Sequence, residues 1–250
     1  MAEFDRQGYA TTAPRADTHA IDEGLRAYML RVYNYMAAGV AITGVVAYVA
    51  FMMAVVQTAA GLQLTPFGAA IFTSPLKWVV MLAPLGMVFF LSARMSKMSV
   101  GGAQMAFWAF AALMGLSLSS IFMVYAGESI TRVFFISAAA FGGLSLYGYT
   151  TKKDLSGWGS FLIMGLIGII IASLVNIFLA SSAMQFAISV IGVLVFAGLT
   201  AYDTQQIKEM YYAGDGEATM GKKAIMGALR LYLDFINLFM MLLSLFGNRE

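Results

Sequence analysis

The sequence has no cysteine, one histidine, four prolines and few charges, with 15 Lys and Arg and 13 Asp and Glu making up 11% of 250 residues. Without cysteine there can be no disulfide, no thiolate nucleophile and no thiolate metal site. The single histidine, His19, lies in a polar stretch, which excludes the paired histidines of an HExxH zinc hydrolase helix. Soluble domains carry roughly 25% charged residues, so 11% excludes an ordinary water-soluble globule. A net charge of +2 with no basic cluster gives no basis for nucleic-acid binding.

What the chain has instead is apolar surface. Hydrophobic residues make up 60% of it, the mean hydropathy is +0.79, and no charge falls between Val32 and Leu76 or between Leu155 and Tyr202. A helix needs about 20 apolar residues to cross the roughly 30 Å hydrocarbon layer. That ruler predicts seven spans, at residues 36–57, 76–93, 103–125, 133–150, 159–180, 184–202 and 224–246. The charge-free run after Leu155 is too long for one span and must be a hairpin, with Ser181, Ser182 and Gln185 at its turn. Glycines such as Gly39, Gly115, Gly165, Gly192 and Gly198 would let helices approach closely.

The expected protein is all-α, with a polar tail over residues 1–31 and a seven-helix transmembrane domain over residues 32–250 set in a lipid bilayer. The tail has no apolar core of a cleavable signal, and Asp22 and Glu23 are placed to start a short amphipathic helix through Leu25, Met29 and Val32. Of the 15 basic residues, eleven fall on the tail and even-numbered loops, and three, Lys77, Arg132 and Arg249, fall on the opposite side. Cytoplasmic loops carry the Lys and Arg excess. The N-terminus is therefore expected inside and the C-terminus outside.

Ionisable residues within the spans carry the functional information, since a charge at the bilayer centre costs about 2.5–3.5 kcal/mol even on insertion scales. Two acids qualify. Asp234 lies about 15 Å along the seventh span at 1.5 Å per residue, and Arg230, Asp234, Asn237, Met241 and Ser244 follow at three- and four-residue steps on one face. Such a polar stripe must turn from lipid toward a cavity or polar neighbours, unless Arg230 merely neutralises Asp234 as an architectural pair. Asp203 closes the sixth span on its cytoplasmic side, where it either reaches the membrane interface or meets Asp234 at similar depth. Paired carboxylates in a low dielectric tend to share a proton, which suits a proton-sensitive latch or a cation site. Arg94, ending the second span, is either a counter-ion or an interface arginine. Oxygen ligands from Asp203 and Asp234 suit a hard cation such as Ca²⁺, bound weakly because two carboxylates fall short of the six to eight oxygens of a tight site. No other cofactor is expected.

Two segments carry a resemblance: Ala-Tyr-Asp-Thr-Gln-Gln-Ile (Ala201 to Ile207) and Ala-Leu-Arg-Leu-Tyr-Leu-Asp-Phe-Ile-Asn-Leu-Phe (Ala228 to Phe239). They resemble the signature segments of the Bax inhibitor-1 family, in its bacterial inner-membrane branch. The resemblance implies a last helix that is central and wrapped by the other six, and a pH-sensitive calcium-leak channel. It also implies a di-aspartyl sensor on Asp203 and Asp234, with Arg94 as the latch of the closed form. Some bacterial relatives bind and restrain a membrane-anchored AAA protease, a role that would suit the polar tail. The second span here has no acid where calcium-conducting relatives carry a pore glutamate, the loop from Ile207 to Lys223 is long and Gly-rich, and the lysine-rich tail of eukaryotic members is absent. An inner membrane is thus expected in place of the endoplasmic reticulum. A third function, intramembrane aspartyl proteolysis, also uses two aspartates. Such enzymes place Gly-x-Gly before the second acid, where this chain has Leu231-Tyr232-Leu233, so no enzymatic activity is expected.

Overall fold

The structure, a computed structural model, describes the backbone of residues 15–58 and 61–249, with side chains from residue 23 onward. The His19 side chain and residues 1–14 of the expected tail, on which a protease contact would rest, lie outside the described residues. The elements are α1 (Arg15–Ala54), β1 (Val55–Thr58), β2 (Gly61–Leu64), α2 (Pro66–Phe72), α3 (Leu76–Arg94), α4 (Val100–Leu118), α5 (Gly127–Thr150), α6 (Ser156–Leu179), α7 (Ser182–Glu209) and α8 (Glu217–Phe246). Seven helices, α1 and α3 to α8, are long and apolar enough to cross a membrane.

The expected boundary at residue 31 falls inside a helix. α1 is one 40-residue helix that runs straight through it, because Tyr28, Met29 and Val32 fall on one helical face and are all buried. The first span also ends earlier than expected. Val55, Val56 and Thr58 are β-branched and pair with residues 61–64 in an antiparallel hairpin, in which Gln57 faces Leu62. Gly61, at φ 105°, supplies the positive φ that the return requires. Thr65 then caps α2 by accepting the Gly68 N–H at 3.1 Å, and Pro66 occupies the first helical turn. The loop expected between Ile207 and Lys223 shortens to residues 210–216. Lys223 Nζ closes it by donating to the Met210 carbonyl at 2.8 Å and pairing with Asp215.

Capping also shapes the α6–α7 hairpin. Ala180 is left-handed at φ 47°, Asn176 Oδ1 accepts the Ser181 N–H at 3.0 Å, and Ser181 Oγ accepts the Met184 N–H at 3.3 Å.

One face of the bundle gathers the start of α1 and the α3–α4, α5–α6 and α7–α8 connections. Lys222 Nζ there donates to the Ser96 carbonyl at 3.0 Å, and Tyr28 of α1 lies 5.8 Å from Tyr211, ring to ring. Arg94, Lys97, Lys152, Lys153, Lys222 and Lys223 all lie on this basic face. The opposite, hairpin face holds the chain end, where the Ala126 N–H donates to the Asn248 carbonyl at 3.0 Å and the Asn248 N–H to Ser129 Oγ at 2.9 Å. α8 therefore passes from one face of the bundle to the other.

α8 is the most enclosed span, with 56% of its apolar window buried against 11% for α3 and 17% for α6. Its main walls are α1, α4, α5 and α7, while α3 joins the bundle through α4 and α6 through α7. Wrapping by all six helices is thus corrected to four principal neighbours. The outer helices need fewer protein contacts because lipid solvates their apolar faces, and Phe178 of α6 is 88% exposed. Small residues set the inner spacing. Gly148 of α5 lies directly against the Ala201 carbonyl of α7, and Gly115 of α4 against the Thr43 carbonyl of α1.

A buried tie joins three spans. Thr43 Oγ1 donates to the Ala111 carbonyl at 2.8 Å, so the Tyr232 hydroxyl, 2.6 Å away, must donate to Thr43. The three lie in α1, α4 and α8. Thr43→Val should destabilise the detergent-solubilised protein by about 1–3 kcal/mol, because it strands a buried phenol. Tyr232→Phe should cost less, since Thr43 keeps its bond to Ala111. Equal shifts in melting temperature would refute this donor order.

Candidate functional site

α7 and α8 pack antiparallel, and their small residues fix the register. Gly192 of α7 faces Met241 of α8, with a Cβ at that glycine falling 2.7 Å from the sulfur. Ser189 Oγ donates to Ser244 Oγ at 2.9 Å, and Gln185 Nε2 to the same oxygen at 3.3 Å. Continued toward the basic face, this register brings Asp203 opposite Asp234. The two carboxyl groups are close enough to influence each other's charge, and the charge of Arg230 reaches both. Asp203 stands six residues, about 9 Å, from the α7 end at Glu209.

The polar stripe of α8 thus faces α7. Ser244 finds partners across the interface, Asp234 faces Asp203, Met241 fits over Gly192, and Asn237 turns its amide back onto the Leu233 carbonyl at 2.8 Å. Asp234 is 5% exposed, whereas Asp203 is half-buried and Arg230 exposed. Arg94 is exposed at the end of α3 and forms no ion pair among the described residues. The cation placed beside the acids is Arg230.

Asp234 Oδ2 and the Tyr28 hydroxyl are the two buried side-chain polar atoms without a hydrogen-bond partner among the described residues. Both lie within range of the Arg230 charge. A buried polar atom without a protein partner costs about 1–3 kcal/mol, so Asp234 is held there against its preference for solvation. Among the described residues no group of three or more acidic or imidazole side chains is placed to hold a metal ion. Two carboxylates and one cation can hold a proton or pass a weakly bound cation, but they lack the oxygens of a tight calcium site.

Sequence reasoning passed over three supporting side chains. Gln205, 3% exposed, accepts the Leu155 N–H at 2.7 Å and donates to the Lys153 carbonyl at 2.8 Å, which clamps the α5–α6 connection to α7 beside Asp203. Ser145 and Thr204 link α5 to α7. Thr204 Oγ1 gives its proton to the Thr200 carbonyl at 2.7 Å, so Ser145, 2.9 Å away, donates to Thr204, and Tyr33 of α1 donates to Ser145 at 2.7 Å. A glutamine and two hydroxyls at a span end were the available signal, but polar residues there usually face water. At the α5–α6 connection, Asp154 is held below the usual carboxylate range by bonds from the Ser156 amide and hydroxyl. It stays charged near neutral pH and adds nothing to a pH response there.

Comparison with known proteins agrees with the motif evidence. A family model described as inhibitor of apoptosis-promoting Bax1 matches residues 25–250. The inner membrane protein YbhL of Escherichia coli (strain K12) is 48% identical over 241 residues, covering 95% of this chain and 98% of that protein. An uncharacterized protein of Caulobacter vibrioides is 48% identical over 254 residues, covering 100% of both chains. One of Rickettsia prowazekii is 46% identical over 240 residues, covering 96% of this chain and 97% of its own.

Proposed function

We propose, from the premise that this chain belongs to the Bax inhibitor-1 family of integral membrane proteins, that it is a proton-sensitive cation leak gated at Asp203 and Asp234. The observation that carries this reading is the meeting of two carboxyls from different spans, one with a buried oxygen that has no partner among the described residues, within range of the Arg230 charge. Two such groups attract while they share one proton and repel once both are ionised. Their protonation therefore biases the separation of α7 from α8. Calcium is the ion whose passage fits an oxygen-only, two-carboxylate site that binds weakly. The basic face lies on the cytoplasmic side by the Lys and Arg excess, with the C-terminus outside, in the inner membrane where the relative YbhL is placed by its name.

The other two functions draw less from the site. Restraint of a membrane-anchored AAA protease would rest on the N-terminal segment and takes nothing from the acid pair. Aspartyl proteolysis needs room for a peptide at the dyad, and two cavities of about 770 and 680 Å³ are lined by neither aspartate.

The test is calcium entry into proteoliposomes carrying an internal indicator. Entry should change with pH between about pH 5 and pH 8, and both Asp203→Asn and Asp234→Asn should flatten that change. Entry no greater than into empty vesicles throughout this range would refute the proposal.

A further inference from the structure

α1 and α5 flank α8 but do not close on each other, and the seam between them holds a cavity of about 680 Å³ in the half toward the basic face. Its floor is apolar, formed by Met29, Met36 and Phe141, each buried, and is crossed by the Tyr33–Ser145 hydrogen bond. Its rims, Leu30 at 51% exposure and Leu146 at 62%, face the surrounding lipid. Midway, Gly142 leaves the wall open, since a Cβ built there meets nothing within 4 Å. Arg26 lines the end at the bundle surface, and the same end carries Tyr149, whose carbonyl accepts from Lys208 Nζ at 2.9 Å. Among the described residues no acid lines the cavity.

We propose that this seam is a binding site for one anionic phospholipid, with its phosphate at Arg26 and one acyl chain lying between α1 and α5 over the Tyr33–Ser145 bond. The cavity lies within the volume range of small-ligand sites, roughly 300–1,000 Å³. It is apolar along its length, charged at one end and open sideways into the membrane. A phospholipid has that same order of parts, and it reaches the site without crossing water. Arg26 lies at the basic-face end of the cavity, where cations at a membrane interface meet lipid headgroups. Its guanidinium can grip a phosphate through two parallel bonds. Tyr33 donates to Ser145 and Ser145 to Thr204 of α7, so a chain seated there rests on the path that links α1 to the helix carrying Asp203.

Native mass spectrometry after delipidation tests the site, using protein reconstituted in equal phosphatidylglycerol and phosphatidylcholine. The wild-type protein should retain phosphatidylglycerol over phosphatidylcholine by about five-fold, the preference expected of one cation near an anionic headgroup. Arg26→Gln should bring that ratio close to one while still retaining a lipid. Gly142→Leu, which fills open space, should lose the lipid without lowering the melting temperature. A photoreactive residue at Leu146 should gain the mass of one phospholipid. Equal retention by wild type and Gly142→Leu, no headgroup preference in the wild type, or a Leu146 crosslink to a second polypeptide would each overturn the proposal.

Discussion

Asp234→Asn should make the protein more stable, raising its melting temperature in detergent by the equivalent of about 1–3 kcal/mol at neutral to alkaline pH. Asp234 is 5% exposed, shares its surroundings with a second carboxyl, and keeps one buried oxygen without a partner. The exposed Arg230 offsets this only in part, because a solvated guanidinium is screened. An amide removes the charge repulsion, and its N–H can donate to Asp203. The gain should shrink as pH falls, since a proton taken up by the wild-type pair relieves the same repulsion. A residue that lowers stability where it stands is retained for function. Melting curves of wild type, Asp203→Asn, Asp234→Asn and the double variant across pH would measure the coupling. An Asp234→Asn protein that melts lower at alkaline pH would mean that the carboxylate is a structural crosslink, which would remove the energetic basis of the gate.

Gly148→Val should be among the most damaging single changes in the bundle. Overpacking a well-packed core typically costs 1–3 kcal/mol and occasionally more. Here the atom met by the new Cβ is the Ala201 backbone carbonyl, not the end of a flexible side chain. The helices must separate or shift, and the loss should be about 3 kcal/mol or greater. Ala201 is two residues from Asp203, and α5 also supplies Ser145 to Thr204 at 2.9 Å. The same substitution should therefore disturb the acid site from a distance and weaken the pH response of any remaining flux. Gly142→Val on the same helix meets open space and is the control. Similar melting temperatures for the two would show that α5 and α7 are not held at this contact.

How much could be seen beforehand depends on whether the signal is local. The spans at Leu76, Gly159 and Met184 were readable because hydrocarbon thickness imposes one length on every helix that crosses it. The α6–α7 turn was readable from Ser181 and Ser182, because a helix end in lipid must satisfy its own backbone. The start of α1 was not, because residues 15–31 are polar enough to be a tail. Only the packing of Tyr28, Met29 and Val32 against α8 and its neighbours makes them a wall of the bundle. The Val55–Leu64 hairpin was also hidden, since a four-residue apolar strand in a charge-free run has the same composition as the last turn of a span. Gln205 was overlooked because its partners, the backbone groups of Lys153 and Leu155, carry no side-chain signature.

Sequence by itself determined that this chain is a seven-helix membrane protein and that Asp203 and Asp234 are its two exceptional charges. Both conclusions rest on transfer free energy, which each segment carries regardless of its neighbours. Only the tertiary structure decided that the stripe on α8 faces α7, that the charge of Arg230 reaches both acids, and that α1 and α5 part along a seam ending at Arg26. Those depend on helix rotation and register, which are set by where a glycine lets one backbone approach another. Gly148 and Gly192 do so here, and hydropathy holds no record of it.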